Sequence, residues 1–173
     1  MCERITRATE RREGHEFRYR LASGFASSGD TVLDAACGTG YGFDLLPGSS
    51  NYVGVDRTLA TLEVGLVDSV RAQFIEADLC QWEPDFDFDV FVSFETIEHL
   101  ADYTALIAAA KKAEYWVLLS TPIVPTKKSN SYHVHDFVPG DLRRLMVDDN
   151  WRHYQTVQQP SEVAEISVFE RLR

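Results

Sequence analysis

The sequence predicts an α/β fold: a seven-stranded, mostly parallel sheet that ends in an antiparallel C-terminal hairpin. Three observations predict it. Short apolar runs alternate with helical stretches at the spacing of βαβ units. Two strand-like runs at the C-terminus are joined only through GlnGlnProSerGlu, which makes a hairpin. A glycine-rich turn follows the first strand-like run and leads into a helix. With 173 residues, 45% of them hydrophobic, the chain can bury one core and forms a single domain over 1–173.

In order, residues 3 to about 24 read as a polar helix with Ile5, Ala8, Phe17, Leu21 and Ala22 on a sparse apolar side, stopped near Gly24 and the SerSerGly that follows. Thr31–Ala35 is a strand, Tyr41–Leu46 a short helix closed by ProGly, Tyr52–Val55 a strand and Thr58–Val67 an amphipathic helix. Arg71–Ala77, Phe88–Ser93 and Tyr115–Ser120 are further strands, with a helix over Ile97–Ala113. Val138–Met146 is helical, and His153–Gln158 and Glu165–Leu172 form the hairpin. The longest irregular stretch, Thr121–Phe137, is long enough for a compact domain to make it a functional loop.

Charge excludes one class of partner. The 17 Lys and Arg against 27 Asp and Glu give a net charge of -10, unlike a nucleic-acid binder with a basic surface. Residues 30–100 hold fourteen acids and two Arg, whereas residues 1–20 hold six Arg and four Glu. Any polyanion contact therefore falls to that N-terminal cluster, which otherwise forms a solvated helix face. Three widely spaced cysteines, Cys2, Cys37 and Cys80, suggest neither a disulfide framework nor a cysteine zinc site. The N-terminus lacks a signal-peptide apolar region, and no run approaches the roughly 20 apolar residues of a membrane span. A cytoplasmic, membrane-free protein is the expectation.

The most specific segment is VLDAACGTGYG, residues 32–42. The strand reaches Asp34, then turns through Gly38 and Gly40, where glycine permits positive φ and close approach of a ligand. This stretch resembles motif I of the class I S-adenosylmethionine-dependent methyltransferases, and the resemblance extends over most of the chain. VGVDRT ends the second strand at Asp56 and Arg57, and FIEADL ends the third at Asp78 and Leu79. HEFRY, residues 15–19, is similar to the helix that closes over the cofactor in many bacterial members. The sequence departs from the family at Ala36, where glycine is common.

The resemblance implies a Rossmann-like class I methyltransferase fold with S-adenosylmethionine as cofactor, and residues 1–24 as a helix closing over it. Asp56 would hold the ribose hydroxyls, and Asp78 and Leu79 the adenine. Ala36 and Ser93 would meet the amino-acid end, with Tyr19, Asp34, Gly38, Gly40, Arg57 and Phe94 completing the cofactor site. Carboxylates at Asp56 and Asp78 suit hydroxyl and amino donors and would repel a 2′-phosphate, which disfavours a phosphorylated dinucleotide.

FDVFVSFETIEHL, at the fourth strand and its following loop, resembles the ubiquinone-biosynthesis type of O-methyltransferase. Glu95, Glu98 and His99 stand at i, i+3 and i+4, at the strand's C-terminal end, where open parallel sheets bind ligands. Two mechanisms follow. His99 or His135 is a general base with a pKa near neutrality. Alternatively, Glu95, Glu98, His99 and His135 hold a divalent cation (Mg, Mn or Zn) that lowers the pKa of an acceptor hydroxyl. The pattern is similar to the metal-binding sets of the ubiquinone O-methyltransferases and the small-RNA 3′-end 2′-O-methyltransferases, with His133 as an adjacent spare.

The fourth strand is followed neither by [DN]PP[YFW], which among the methyltransferases it resembles marks amino methylation, nor by the ProCys of the covalent cysteine route, so the resemblance implies O-methylation of a small-molecule hydroxyl. An RNA 2′-O-methyltransferase and a non-catalytic cofactor-binding regulatory subunit are the alternatives. Only residues 1–24 and the active-site loop, 121–137, are available to cover the acceptor. The cleft is therefore either open or completed by another subunit, whether in a homo-oligomer or with a partner.

Overall fold

The computed structural model describes residues 13–46, 50–62, 69–159 and 163–173. The elements are α1 (Glu13–Ala22), β1 (Thr31–Ala35), α2 (Gly42–Leu45), β2 (Asn51–Asp56), β3 (Ala72–Glu76), β4 (Val90–Phe94), a 3₁₀ turn (Ile97–His99), α3 (Thr104–Ala110), β5 (Trp116–Pro122), α4 (Asp141–Met146), β6 (Trp151–Gln158) and β7 (Ala164–Arg171). The expected helix over residues 3–24 is seen from Glu13, and its earlier part, with Arg4, Arg7, Arg11 and Arg12, lies outside the described residues.

All seven strands join one sheet in the order β3-β2-β1-β4-β5-β7-β6. The first five are mutually parallel, and β7 runs antiparallel to both β5 and β6. This is the mixed Rossmann-like sheet that the strand and helix alternation predicts. Strand order reverses between β1 and β4, so their C-terminal ends part there and open a crevice. Ser93 Oγ pins the two ends together just below that point by donating to the Ala35 carbonyl at 2.9 Å.

Each face of the sheet is buried. On one side Leu33, Phe91 and Leu119 pack with Leu106 and Ala110 of α3 and with Leu142 and Met146 of α4. On the other, Val32, Val90, Val92, Leu118 and Val168 pack beneath Tyr19 and Ala22 of α1. Strands buried on both faces carry near-continuous apolar runs, which is why β1, β4 and β5 stand out in the sequence.

Two expected helices differ. The stretch Ile97–Ala113 breaks, because Leu100 turns to extended backbone and Asp102 accepts the Thr104 amide at 2.8 Å, which starts α3 afresh. Thr58–Leu62, at the start of the expected Thr58–Val67 helix, form an irregular turn, and residues 63–68 lie outside the described set.

Gly54 shows how tightly the first turn seats on the sheet. A Cβ there would lie 2.8 Å from both Cys37 Sγ and the Phe74 ring. Gly54→Ala is therefore expected to lower unfolding free energy by about 1–3 kcal/mol, measured by chemical denaturation.

Candidate active site

The site is assembled at the C-terminal ends of β1, β2, β4 and β5. After β1 the chain turns through Ala36, Gly38 and Gly40, with φ of 69°, 59° and 79°. Ala36 thus occupies the left-handed region that favours glycine, which explains why a glycine is common at this position in the family it resembles. Asp56, at the end of β2, stabilises the turn by accepting the Gly38 amide at 3.0 Å and the Thr58 amide at 3.3 Å. Arg57 beside it is exposed. Asp78 is exposed just beyond β3 and accepts the Cys80 amide at 3.0 Å, while Leu79 is buried.

Asp34 is fully buried under this turn. Its Oδ2 accepts the hydroxyls of Tyr19 (2.9 Å) and Tyr52 (2.5 Å), and its Oδ1 has no hydrogen-bond partner among the described residues. Burial pushes its carboxyl up to about 7, against the lowering pull of Tyr52 and Tyr19, and nearby Asp56 adds to the rise. The Tyr19 ring meets Tyr41 and Phe94 edge-on, each at 5.1 Å, and so lies across the mouth of the turn. Gly42 makes room for it, since a Cβ there would lie 2.3 Å from the ring.

At the end of β4, Glu95 also adopts a left-handed backbone, with φ of 51°. Ser120 holds it there: the Glu95 amide donates to the Ser120 carbonyl and Oγ, both at 3.1 Å, and Ser120 Oγ donates to Glu95 Oε1 at 2.8 Å. Glu95 Oε1 also faces the buried Arg18 guanidinium at 3.5 Å. Strain of this kind persists only where the surroundings over-determine it, and it gathers at functional sites.

Glu98 is 1% exposed. Its Oε2 accepts Thr121 Oγ1 at 3.2 Å, and Oε1 lies 3.9 Å from His99 Nε2. Burial raises its carboxyl well above the usual range, and the neighbouring Glu95 adds to this. His99 Nδ1 is 3.1 Å from the Tyr132 carbonyl, which can only accept, so the neutral ring keeps its lone pair at Nε2, toward Glu98.

The loop after β5 is tied to this turn. The Glu98 carbonyl accepts the amides of Val134 (2.8 Å) and His135 (3.2 Å), and Asp136 Oδ1 accepts those of Thr126 (2.7 Å) and Lys127 (3.0 Å). His135 Nε2 donates to the Leu100 carbonyl at 2.9 Å, and its ring packs on Tyr103. His133 instead stands edge-on to His99, with ring centroids 4.5 Å apart. Glu98, His99 and His133 bring one ligand atom each within 4.8 Å of one another.

The structure therefore gathers two members of the expected four-residue metal set, Glu98 and His99, and supplies His133 as a third. Glu95 is engaged by Arg18 and Ser120, and His135 by the Leu100 carbonyl. Sequence reasoning missed Tyr52 and Gln159. Tyr52 reads as an ordinary strand residue, and Gln159, on the β6–β7 connection, meets Arg18 only through folding.

The donor set fits the cofactor that the sequence resemblance implies. Asp34 Oδ1 is a buried acceptor suited to an ammonium, and carboxylates at Asp56 and Asp78 suit hydroxyl and amino donors. The model for the methyltransferase domain family matches residues 6–161. A probable S-adenosylmethionine-dependent methyltransferase of Mycolicibacterium smegmatis is 37% identical over 102 residues, which is 54% of this chain and 37% of that protein. The matches span less than half the length of the curated relatives, between 37% and 47%. N-methyltransferase NodS from Bradyrhizobium japonicum, solved with S-adenosyl-L-homocysteine, superposes with a TM-score of 0.74 at 13% identity, over 95% of this chain and 90% of that one. A chain in the complex of the Haloferax volcanii Trm112 methyltransferase activator superposes with a TM-score of 0.75 at 13% identity, over 92% and 90%. No helix among the described residues is long and apolar enough to cross a membrane.

Two measurements test the buried turn. Ala36→Gly should relieve the left-handed strain and raise unfolding free energy by about 0.5–1 kcal/mol, a net of strain relief and glycine's entropy. For Asp34, the unfolded carboxyl releases its proton near 3.8 and the folded one near 7. Its contribution to stability is full below the lower value, falls as pH rises between the two and is constant above. Asp34→Asn should flatten that decline in a pH series of denaturation curves.

Proposed function

The chain belongs to the S-adenosylmethionine-dependent methyltransferase family, and from that premise we propose that it methylates a hydroxyl on a small-molecule acceptor. The observation that carries the reading is the Glu98–His99 pair, a buried carboxyl oxygen and an imidazole lone pair 3.9 Å apart in the turn after β4. Such a pair can take the proton that an acceptor hydroxyl must lose. SFETIEHL, which supplies both groups, also carries the resemblance to the ubiquinone-biosynthesis type.

In this reading the glycine turn, Ala36 and Ser93 border the cofactor's amino-acid end and Asp34 meets its ammonium. Asp56 takes the ribose hydroxyls, and Asp78 with Leu79 borders the adenine. When bound, S-adenosylmethionine supplies an electrophilic methyl group on a sulfonium. Acids clustered at these strand ends favour that cation. Tyr19 and α1 cover the turn and exclude water. His99 Nε2 accepts the hydroxyl proton, with the ring oriented through Nδ1 by the Tyr132 carbonyl.

The same residues support a metal-assisted form. Glu98, His99 and His133 offer a carboxylate and two imidazoles, a donor mix that suits Mg, Mn or Zn. A cation there would lower the pKa of the hydroxyl. A second copy or a partner subunit completes the acceptor side in this reading; one of the superposing chains comes from a complex with a methyltransferase activator.

Isothermal titration with S-adenosylmethionine and S-adenosylhomocysteine tests the premise. Binding is expected for both, and Asp56→Ala should weaken it at least about 10-fold. His99→Ala should retain that binding and lose turnover by about 100-fold or more. Titrating Mg, Mn and Zn with the product present tests the cation, and absence of heat and of any Tm shift from all three removes it.

A further inference from the structure

A second buried polar group lies on the far side of the crevice from the glycine turn. Gln159 leaves β6, and its amide donates to the Ala164 carbonyl at 3.1 Å, which fixes it beside the first residue of β7. Ala164 is paired with Pro122 of β5, so Gln159 sits at the same sheet end as Ser120 and Thr121. It is 3% exposed. Its Oε1 accepts Arg18 Nε at 2.8 Å, and its Nε2 is sealed from solvent with no hydrogen-bond partner among the described residues.

An amide donor buried without a partner is destabilising, so its retention points to a ligand. Arg18 fixes the orientation of that amide, since an Nε–H donor selects the oxygen and turns the nitrogen away. The charge balance says what the nitrogen would meet. Arg18 is answered by Glu95 at 3.5 Å, so the surroundings of the amide hold no surplus positive charge for an anion. A neutral carbonyl oxygen satisfies Nε2 without that cost.

We propose that Gln159, oriented by Arg18, is a specificity-determining residue that reads a neutral carbonyl oxygen on the methyl acceptor. The acceptor class is then a neutral molecule carrying both a hydroxyl and a carbonyl. This rests on the hydroxyl-methylation reading above. Of the cofactor residues, Asp34, the glycine turn and Asp56 lie on or just after β1 and β2, across β4 and β5 from Gln159 in the sheet order.

The test uses the full chain with three probes, ortho-hydroxyacetophenone, ortho-ethylphenol and ortho-hydroxybenzoate, which share a hydroxyl and differ in the neighbouring group. kcat and KM are measured for each, with S-adenosylhomocysteine binding measured in parallel. The expected result is a preference for the hydroxyacetophenone of at least about 10-fold over the ethylphenol. Gln159→Leu should bring that ratio near one, mainly through KM, with S-adenosylhomocysteine affinity unchanged. Gln159→Glu keeps the size and the Arg18 contact while replacing the donor by an acceptor, and should lower the ratio even if the leucine variant fails to fold. An unchanged ratio in the variants, a preference for the benzoate, lost S-adenosylhomocysteine affinity in either folded variant, or no turnover of any probe by protein that binds S-adenosylhomocysteine overturns the proposal. Failure of the unmodified protein to bind S-adenosylhomocysteine would instead overturn the underlying reading.

Discussion

The ligand end of the sheet depends on one buried carboxylate. Asp34 has been taken out of water beneath the glycine turn, and two tyrosine hydroxyls converge on a single one of its oxygens. Burying an ionisable group without donors is expensive, so the two hydroxyls are a condition of placing an acid there at all. They come from different elements, Tyr52 from β2 and Tyr19 from α1. The same contact therefore seals the acid and docks α1. Once Tyr19 lies across the turn, its ring occupies the volume of any side chain at Gly42, and that glycine is required by packing.

The next residue of the clasp extends this constraint across the crevice. Arg18 reaches Glu95 and Gln159 while Tyr19 reaches Asp34, so adjacent residues of one helix contact both sides of the opening. Among the described residues two non-glycines are left-handed, Ala36 and Glu95, and they sit just beyond β1 and β4, on either side of the same opening. Ala36 holds its conformation because its amide and that of Cys37 both donate to the Val55 carbonyl, at 2.8 and 3.0 Å. Glu95 holds its own through Ser120. Both strained residues thus stand where the strands part, and each is locked by a neighbouring strand.

Much of this was legible in the sequence, and the boundary is physical. The central strands β1, β4 and β5 show as apolar runs because both sheet faces are covered there, and the glycine turn shows because its backbone demands particular residues. Asp34, Asp56, Asp78, Glu98 and His99 stand out as polar groups at strand ends. What was hidden depends on long-range packing or irregular backbone. The Arg18–Gln159 bond joins residues 141 positions apart, and no local pattern marks the glutamine. The loop histidines failed for a different reason. His133 and His135 are two apart, and outside a regular element no periodicity says which of them faces inward. Only the carbonyls of Glu98 and Leu100 decide it, by taking the His135 amide and ring and leaving His133 beside His99.

That division also bears on how the acceptor is chosen. NodS shares this fold at a TM-score of 0.74 with 13% identity and is an N-methyltransferase, so the fold alone does not fix the atom that receives the methyl group. Discrimination has to come from groups near the acceptor, and in the reading proposed above those groups are polar, buried and incompletely satisfied. An apolar pocket separates ligands weakly, whereas one with an unpaired donor rejects any ligand that leaves the donor unpaired. The Gln159 nitrogen and Glu98 Oε1 lack hydrogen-bond partners among the described residues. In that reading a ligand offers a carbonyl to the Gln159 nitrogen and its hydroxyl to the Glu98–His99 pair, a narrower demand than the sheet imposes.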